Sequence, residues 1–137
     1  MTLKTHVDDL ARGLLARFAA QIERAAADGS ADAIHDLRVS IRRLSQCLRI
    51  FSRFFPIRPA RKIRGHMRRI IKLAGEVRNR DIALDLLKEA GLDSRGAVAA
   101  MLNAERRTMQ ADLTNLLRAF KKRDVAKNWP GRLGIGR

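Results

Sequence analysis

HDLRVSIRRLSQCLRIFSR, residues 35–53, divides into two opposed faces when its residues are set 100° apart around a helix axis. Leu37, Ile41, Leu44, Leu48, Phe51 and, just beyond, Phe55 recur at spacings of three and four along one side. His35, Arg38, Arg42, Gln46, Arg49 and Arg53 occupy the other. The first set is a core-facing stripe. The second is a cationic rail about 27 Å long at a rise of 1.5 Å per residue, and Asp36 lies about 100° away from it. Helix faces that meet only water commonly pair acids with bases at i,i+4. Arg38 with Arg42, and Arg49 with Arg53, place like charges there instead, at a cost of a few tenths of a kcal/mol each. A long polyanion would relieve that repulsion. A merely solvated basic face is the plain alternative.

The rest of the composition fits one helical domain. A chain of 137 residues, 46% hydrophobic and 31% charged, can bury a core as a soluble globular protein. Aromatics make up only 4%, with no Tyr and 3 Pro, which favours packed helices over a β-sandwich or barrel, so an all-α fold is expected. The net charge is +15, and residues 35–80 alone, with fourteen Lys and Arg against Asp36 and Glu76, supply +12 of it. Such a surface attracts nucleic acid, anionic lipid or an inorganic polyanion. Cys47 is the single cysteine, which excludes an intrachain disulfide and a cysteine metal cluster and suits a reducing cytoplasm. Its helical neighbours Leu44, Leu48 and Phe51 make it a small core residue. The start MTLKTHVDDLARGLL has no apolar run of signal-peptide length, and no segment reaches the ~20 apolar residues that span a bilayer, so a cytoplasmic protein without membrane insertion is expected.

Along the chain, Leu3, Val7, Leu10, Leu14, Phe18 and Ile22 predict a first helix from about Thr2 to Ala27, stopped by Asp28, Gly29 and Ser30. The central helix runs from about Asp32 to Phe55, and Pro56 and Pro59 separate it from a third over about Ala60 to Ala74. On this third helix Ile63, Met67, Ile70, Ile71 and Ala74 share an apolar arc, with Arg58, Arg61, Lys62, Gly65, Arg68, Arg69 and Lys72 gathered opposite. Packed antiparallel at 8–10 Å, the two rails would face the same way, and Gly65 would leave room for a ligand close to the backbone. Gly75 predicts a break, followed by a helix from about Arg78 to Ala90 ending at Gly91, with Ile82, Leu86 and Leu87 turned to the core. Asp93 or Ser94 is expected to cap a last helix carrying Val98, Met101, Leu102, Met109, Leu113, Leu116, Leu117 and Phe120. The expected architecture is an antiparallel bundle of four to five helices over residues 1–127, with residues 128–137 a Gly- and Pro-rich flexible tail that Trp129 pins. No Gly-rich phosphate loop, H-E-x-x-H, paired Cys motif or nucleophile-base arrangement stands out, so a non-catalytic binder without metal or cofactor is expected. His6 is read as a surface residue.

IHDLRVSIRRLSQCLRIF, residues 34–51, the basic helix after it, and LAGEVRNRDIALDLL, residues 73–87, together resemble the CHAD family, the conserved histidine α-helical domain. The family pattern of a His, an Arg three on and then an Arg-Arg pair falls on His35, Arg38, Arg42 and Arg43. Its second pattern, a leucine and glycine followed by Arg-Asp-x-Asp, falls on Leu73, an extra Ala74, Gly75 and Arg78-Asn79-Arg80-Asp81, with Asn79 in the place of the first Asp. The resemblance implies a helical bundle that binds inorganic polyphosphate in a basic channel, in the company of polyphosphate-handling enzymes or on polyphosphate granules. Joined to the charge pattern, it nominates His35, Arg38, Arg42, Arg43, Arg49, Arg53, Arg61, Lys62, Gly65, Arg68, Arg69, Lys72 and Arg78 as the polyphosphate-binding set. CHAD domains are built from two related four-helix halves. This chain resembles the first, so a homodimer with a seam of Val98, Met101, Met109 and Leu113 is one way to supply the opposite wall. A nucleic-acid-binding or protein-docking module using the same basic face is the alternative, with nucleic acid then a secondary polyanion.

Overall fold

The computed structural model describes residues 2–92 and 96–136. Five α-helices follow one another: α1 Leu3–Ala27, α2 Ala31–Ile50, α3 Ile57–Glu89, α4 Ala97–Arg123 and α5 Val125–Arg132, with a 3₁₀ turn at Ser52–Phe54 between α2 and α3. α1 starts where the Thr2 hydroxyl accepts the Thr5 N–H at 3.2 Å, and α2 where the Ser30 hydroxyl accepts the Ala33 N–H at 3.2 Å. Asp28 fixes the turn between them, its carboxylate accepting the Ser30 N–H at 2.9 Å. Connections this short force neighbouring helices to run antiparallel. α1 packs on α2 and α4, and α3 packs on α2 and α4, which closes an up-down-up-down bundle.

Of the stripe predicted for α2, Leu37, Ile41, Leu44 and Leu48 are buried, as is Cys47, whose thiol pKa burial raises; the helix ends at Ile50 rather than near Phe55, leaving Phe51 half-buried at its end and Phe55 buried beyond the 3₁₀ turn. They meet Ile63, Met67, Ile70, Ala74 and Val77 of α3 and Leu113, Leu117 and Phe120 of α4. The α1 stripe differs from the expectation. Its buried side runs Val7, Ala11, Leu15, Phe18, Ile22 and Ala25, while Leu3 and Leu10 lie exposed. Alanines let α1 approach its neighbours closely, and a reading weighted to large apolar residues passes over them.

α3 does not break at Gly75. Ala74 and Val77 continue its buried stripe through that position, and the packing outweighs a helix cost of about 1 kcal/mol for the glycine. The turn beyond is held by charge: Arg80 donates to Glu76 at 2.6 Å and to Glu105 of α4 at 3.2 Å. Arg106 of α4 donates to Asp81 at 2.5 Å and to the Gly29 carbonyl at 3.1 Å, tying the α1–α2 turn to the α3–α4 pair. Arg106→Ala leaves a half-buried carboxylate and a carbonyl without this donor and should cost about 1–3 kcal/mol. Urea unfolding measures this; a loss under about 0.5 kcal/mol would make the clamp a solvated contact.

At 33 residues α3 is about 50 Å long against about 30 Å for the 20 residues of α2. The α3–α4 pair therefore continues past the level of Gly29 as a two-helix arm. Ile82 and Leu86, expected to face the core, are exposed there, Leu86 at 59%, because neither α1 nor α2 reaches that far. Of the seam proposed for a dimer, Val98 and Met101 are exposed on this arm, whereas Leu113 is in the core and Met109 packs against it. The expected cap at Asp93 or Ser94 lies outside the described residues; Gly96 occupies the position before α4.

The C-terminal segment is not a loose tail. Asp124, at φ +49°, turns the chain back at the end of α4, and α5 lays Trp129 against Phe18 (ring centroids 5.7 Å apart) and edge-on to Phe120 at 6.1 Å. Leu133 and Ile135 follow it into the core. Gly134 and Gly136 have φ of +68° and +85°, conformations glycine takes without strain. They bring the chain end over the start of α1, where Lys4 donates to the Gly134 carbonyl at 3.2 Å and to Asp8 at 2.9 Å. The glycines that suggested disorder are turn residues.

Candidate anion-binding groove

Arg42, Ser45 and Arg49 lie at i, i+3 and i+7, a strip of α2 next to its core stripe and on the side that meets α3. Arg64 and Arg68, four apart, form the matching strip of α3. Between them lies an open groove of about 280 Å³, floored by Ile41 and Ile71 and walled by Arg42, Ser45, Gln46 and Arg49 on one side and Arg64 and Arg68 on the other. No carboxylate lines it, and none of the four arginines has an ion pair among the described residues. Arg42, Arg49 and Arg68 are exposed and Arg64 half-buried, so their guanidinium groups line a trough open to solvent. A planar fork that grips two oxygens at once suits phosphate better than a lysine point charge does.

The structure thus brings together three of the thirteen nominated residues, Arg42, Arg49 and Arg68, and adds Arg64. Arg64 falls outside the rail that α3 shows on its own, because it lies at the margin of the apolar arc; its spacing of four from Arg68 is the sequence signal that points to it. Arg38 precedes Arg42 by one turn, half-buried, with a buried Nε that has no hydrogen-bond partner. His35, Arg61 and Lys72 are exposed outside the groove lining, and Arg53 stacks on Phe54 at 4.8 Å in the 3₁₀ turn. Arg43 points to the other flank of α2, into a cleft with Leu14, Arg17, Gln21 and Asp36. Lys62 turns to the far flank of α3, beside His66, Lys122, Arg123 and Arg132, and Arg69 also acts on His66. Gly65 has nothing within 4 Å of where a Cβ would stand, so no protein group crowds it. Arg78 is half-buried and outside the groove lining. The two rails meet along one edge only.

The Arg80–Asp81 pair has a different part. Both side chains are engaged across α3 and α4, with Glu76, Glu105 and Arg106 as partners, and so they brace the bundle rather than face a ligand. A family model for the CHAD domain matches residues 9–134. The chain belongs to the CHAD family. The matched CHAD region takes in all of α2 to α5 and most of α1, including the Gly-rich segment through Gly134. No curated protein and no solved structure shows a significant match to the chain. Among the described residues of this CHAD domain no group of three or more His, Cys, Asp and Glu could hold a metal ion, and no helix is long and apolar enough to cross a membrane.

Proposed function

We propose that this CHAD domain binds inorganic polyphosphate along the α2–α3 groove, without catalysing its turnover. The observation that carries the reading is the convergence of Arg42, Arg49, Arg64 and Arg68 on one open trough with no carboxylate in it. Like charges held together cost stability in the free protein. A linear polyanion offers phosphates along the length of the groove and recovers that cost in charge-assisted hydrogen bonds. Such a binder would work beside a polyphosphate-handling enzyme or on a polyphosphate granule in the cytoplasm. Family membership supports polyphosphate over other polyanions. Against nucleic acid as the principal ligand stands the state of the aromatics. Phe55 is buried and Phe51 and Phe54 are half-buried against the core, which leaves no stacking platform for bases beside the groove.

Titration with polyphosphate of defined lengths at several salt concentrations tests this. Four phosphates neutralised on a flexible chain predict a log–log salt slope of about −3, an affinity loss of about fiftyfold between 50 and 200 mM salt. Polyphosphate should displace duplex DNA, and DNA should not displace polyphosphate. A slope near zero, or equal mutual displacement, would overturn the reading.

A further inference from the structure

On the flank of α3 that faces α4 and α5 lies a second cavity, of about 560 Å³, lined among others by Lys62, His66, Lys122, Arg123, Trp129 and Arg132. Its cations come from three separate elements. Lys122 and Arg123 close the last turn of α4, where positive charge is favourable against the helix dipole. The left-handed turn at Asp124 then reverses the chain, so that α5 carries Arg132 back beside Lys62. No carboxylate lines the cavity, and among the described residues none of these four cations has an ion pair. Val125, Trp129 and the following Leu133 and Ile135 seat α5 on the core by burial, without these charges. Arg123 also stacks on the Phe120 ring at 4.9 Å, but no carboxylate offsets the mutual repulsion among Lys62, Lys122, Arg123 and Arg132.

We infer that the α3–α4–α5 cavity is a second phosphate site, separate from the groove, which takes a compact, multiply charged phosphate of the triphosphate kind. Its volume is in the range of small-ligand sites, and the cations reach it from three elements rather than along one line. A compact anion fits that arrangement, whereas the open groove fits a chain. The inference stands apart from polyphosphate binding in the groove and would survive its failure.

His66 links the site to pH. It packs edge-on to Phe120 at 5.5 Å, and its pKa lies below the ordinary 6.5, first through desolvation and then through Arg123, Lys62, Arg69 and Arg132. The groups facing it are Lys62 and Arg69 of α3, Phe120, Lys122 and Arg123 of α4, and Asn128, Trp129 and Arg132 of α5. A bound phosphate offsets the charges that hold the pKa down. The complex then carries more protons than the free protein, so affinity rises as pH falls through the pKa of the complex and levels off below that of the free site.

The chain has one Trp and no Tyr, so its indole fluorescence comes from Trp129 alone, which lines this cavity. Tripolyphosphate added to the full chain should give a saturable fluorescence change and shift the His66 ring resonances, binding at least about threefold tighter near pH 5.5 than near pH 7.5. Arg42→Gln with Arg68→Gln, in the groove, should keep the response. Lys122→Gln with Arg132→Gln, both at exposed positions, should weaken it at least about tenfold with helix content unchanged. His66→Gln should keep the binding and lose the tightening at low pH. Silence of both Trp129 and His66, or loss of the response in the groove variant, would overturn the separate site. Tightening at low pH that persists in His66→Gln would overturn the proton link.

Discussion

Arg42→Glu combined with Arg68→Glu is expected to lower polyphosphate affinity by about a thousandfold while leaving helix content unchanged. Each arginine lost removes a charge-assisted contact worth about 1.5–3 kcal/mol. Two such losses amount to about 3–6 kcal/mol, a factor of about 10² to 10⁴, and the introduced carboxylates add repulsion. Both side chains are exposed on the walls of the groove and outside the core, so the fold has little to lose. The salt slope should become shallower by about 1.4, about 0.7 for each phosphate contact removed. Arg43→Glu is the control that separates a site from a net charge. It changes the total charge as much as Arg42→Glu does, but Arg43 lies on the α1 flank of α2. Calorimetric titration should find Arg43→Glu several-fold milder than Arg42→Glu; equal losses would mean that the ligand responds to overall charge and not to the groove.

Those two neighbouring arginines also show where reading the sequence stops. On α2 alone, the core stripe and its opposite face could be told apart, because Leu37, Ile41, Leu44 and Leu48 are large, apolar and regularly spaced. Which flank of the basic face meets α3 and which meets α1 depends on the packing of three helices. On sequence alone, therefore, Arg43 groups with Arg42 and Arg64 does not join them. The same limit hid the second cavity: Lys62 and His66 find their partners sixty residues away, in Lys122, Arg123 and Arg132. The fold class was legible throughout. Its errors fell on glycines and on the arm: Gly75 lies within a helix because the stripe on either side is buried, and Ile82 and Leu86 are exposed because α2 ends before it reaches them. A periodicity shows that a helix has an apolar side. It does not show how far the neighbouring helix extends.

The C-terminal segment yields the largest expected effect on stability: Trp129→Ala should cost about 3–5 kcal/mol, the range for removing a large buried aromatic. Trp129 is 2% exposed and fills the corner between Phe18 of α1 and Phe120 of α4. α5 has little helical stability of its own. It has eight residues, and Pro130 within it lacks the N–H that would bond back to Ala126. Its order therefore rests on what its side chains bury. Without the indole, α5 has Val125 and the following Leu133 and Ile135 to hold it, and Arg132 loses its fixed place in the second cavity. A domain of this size has roughly 5–15 kcal/mol in total, so the loss takes a large fraction of it. The urea midpoint should fall sharply at nearly unchanged slope, and the thermal midpoint by about 10–17 °C. Trp129→Phe keeps a ring against Phe18 and should recover more than half of the loss. A cost below about 1 kcal/mol for Trp129→Ala would return the segment after α4 to the loose tail that its glycines and proline suggest.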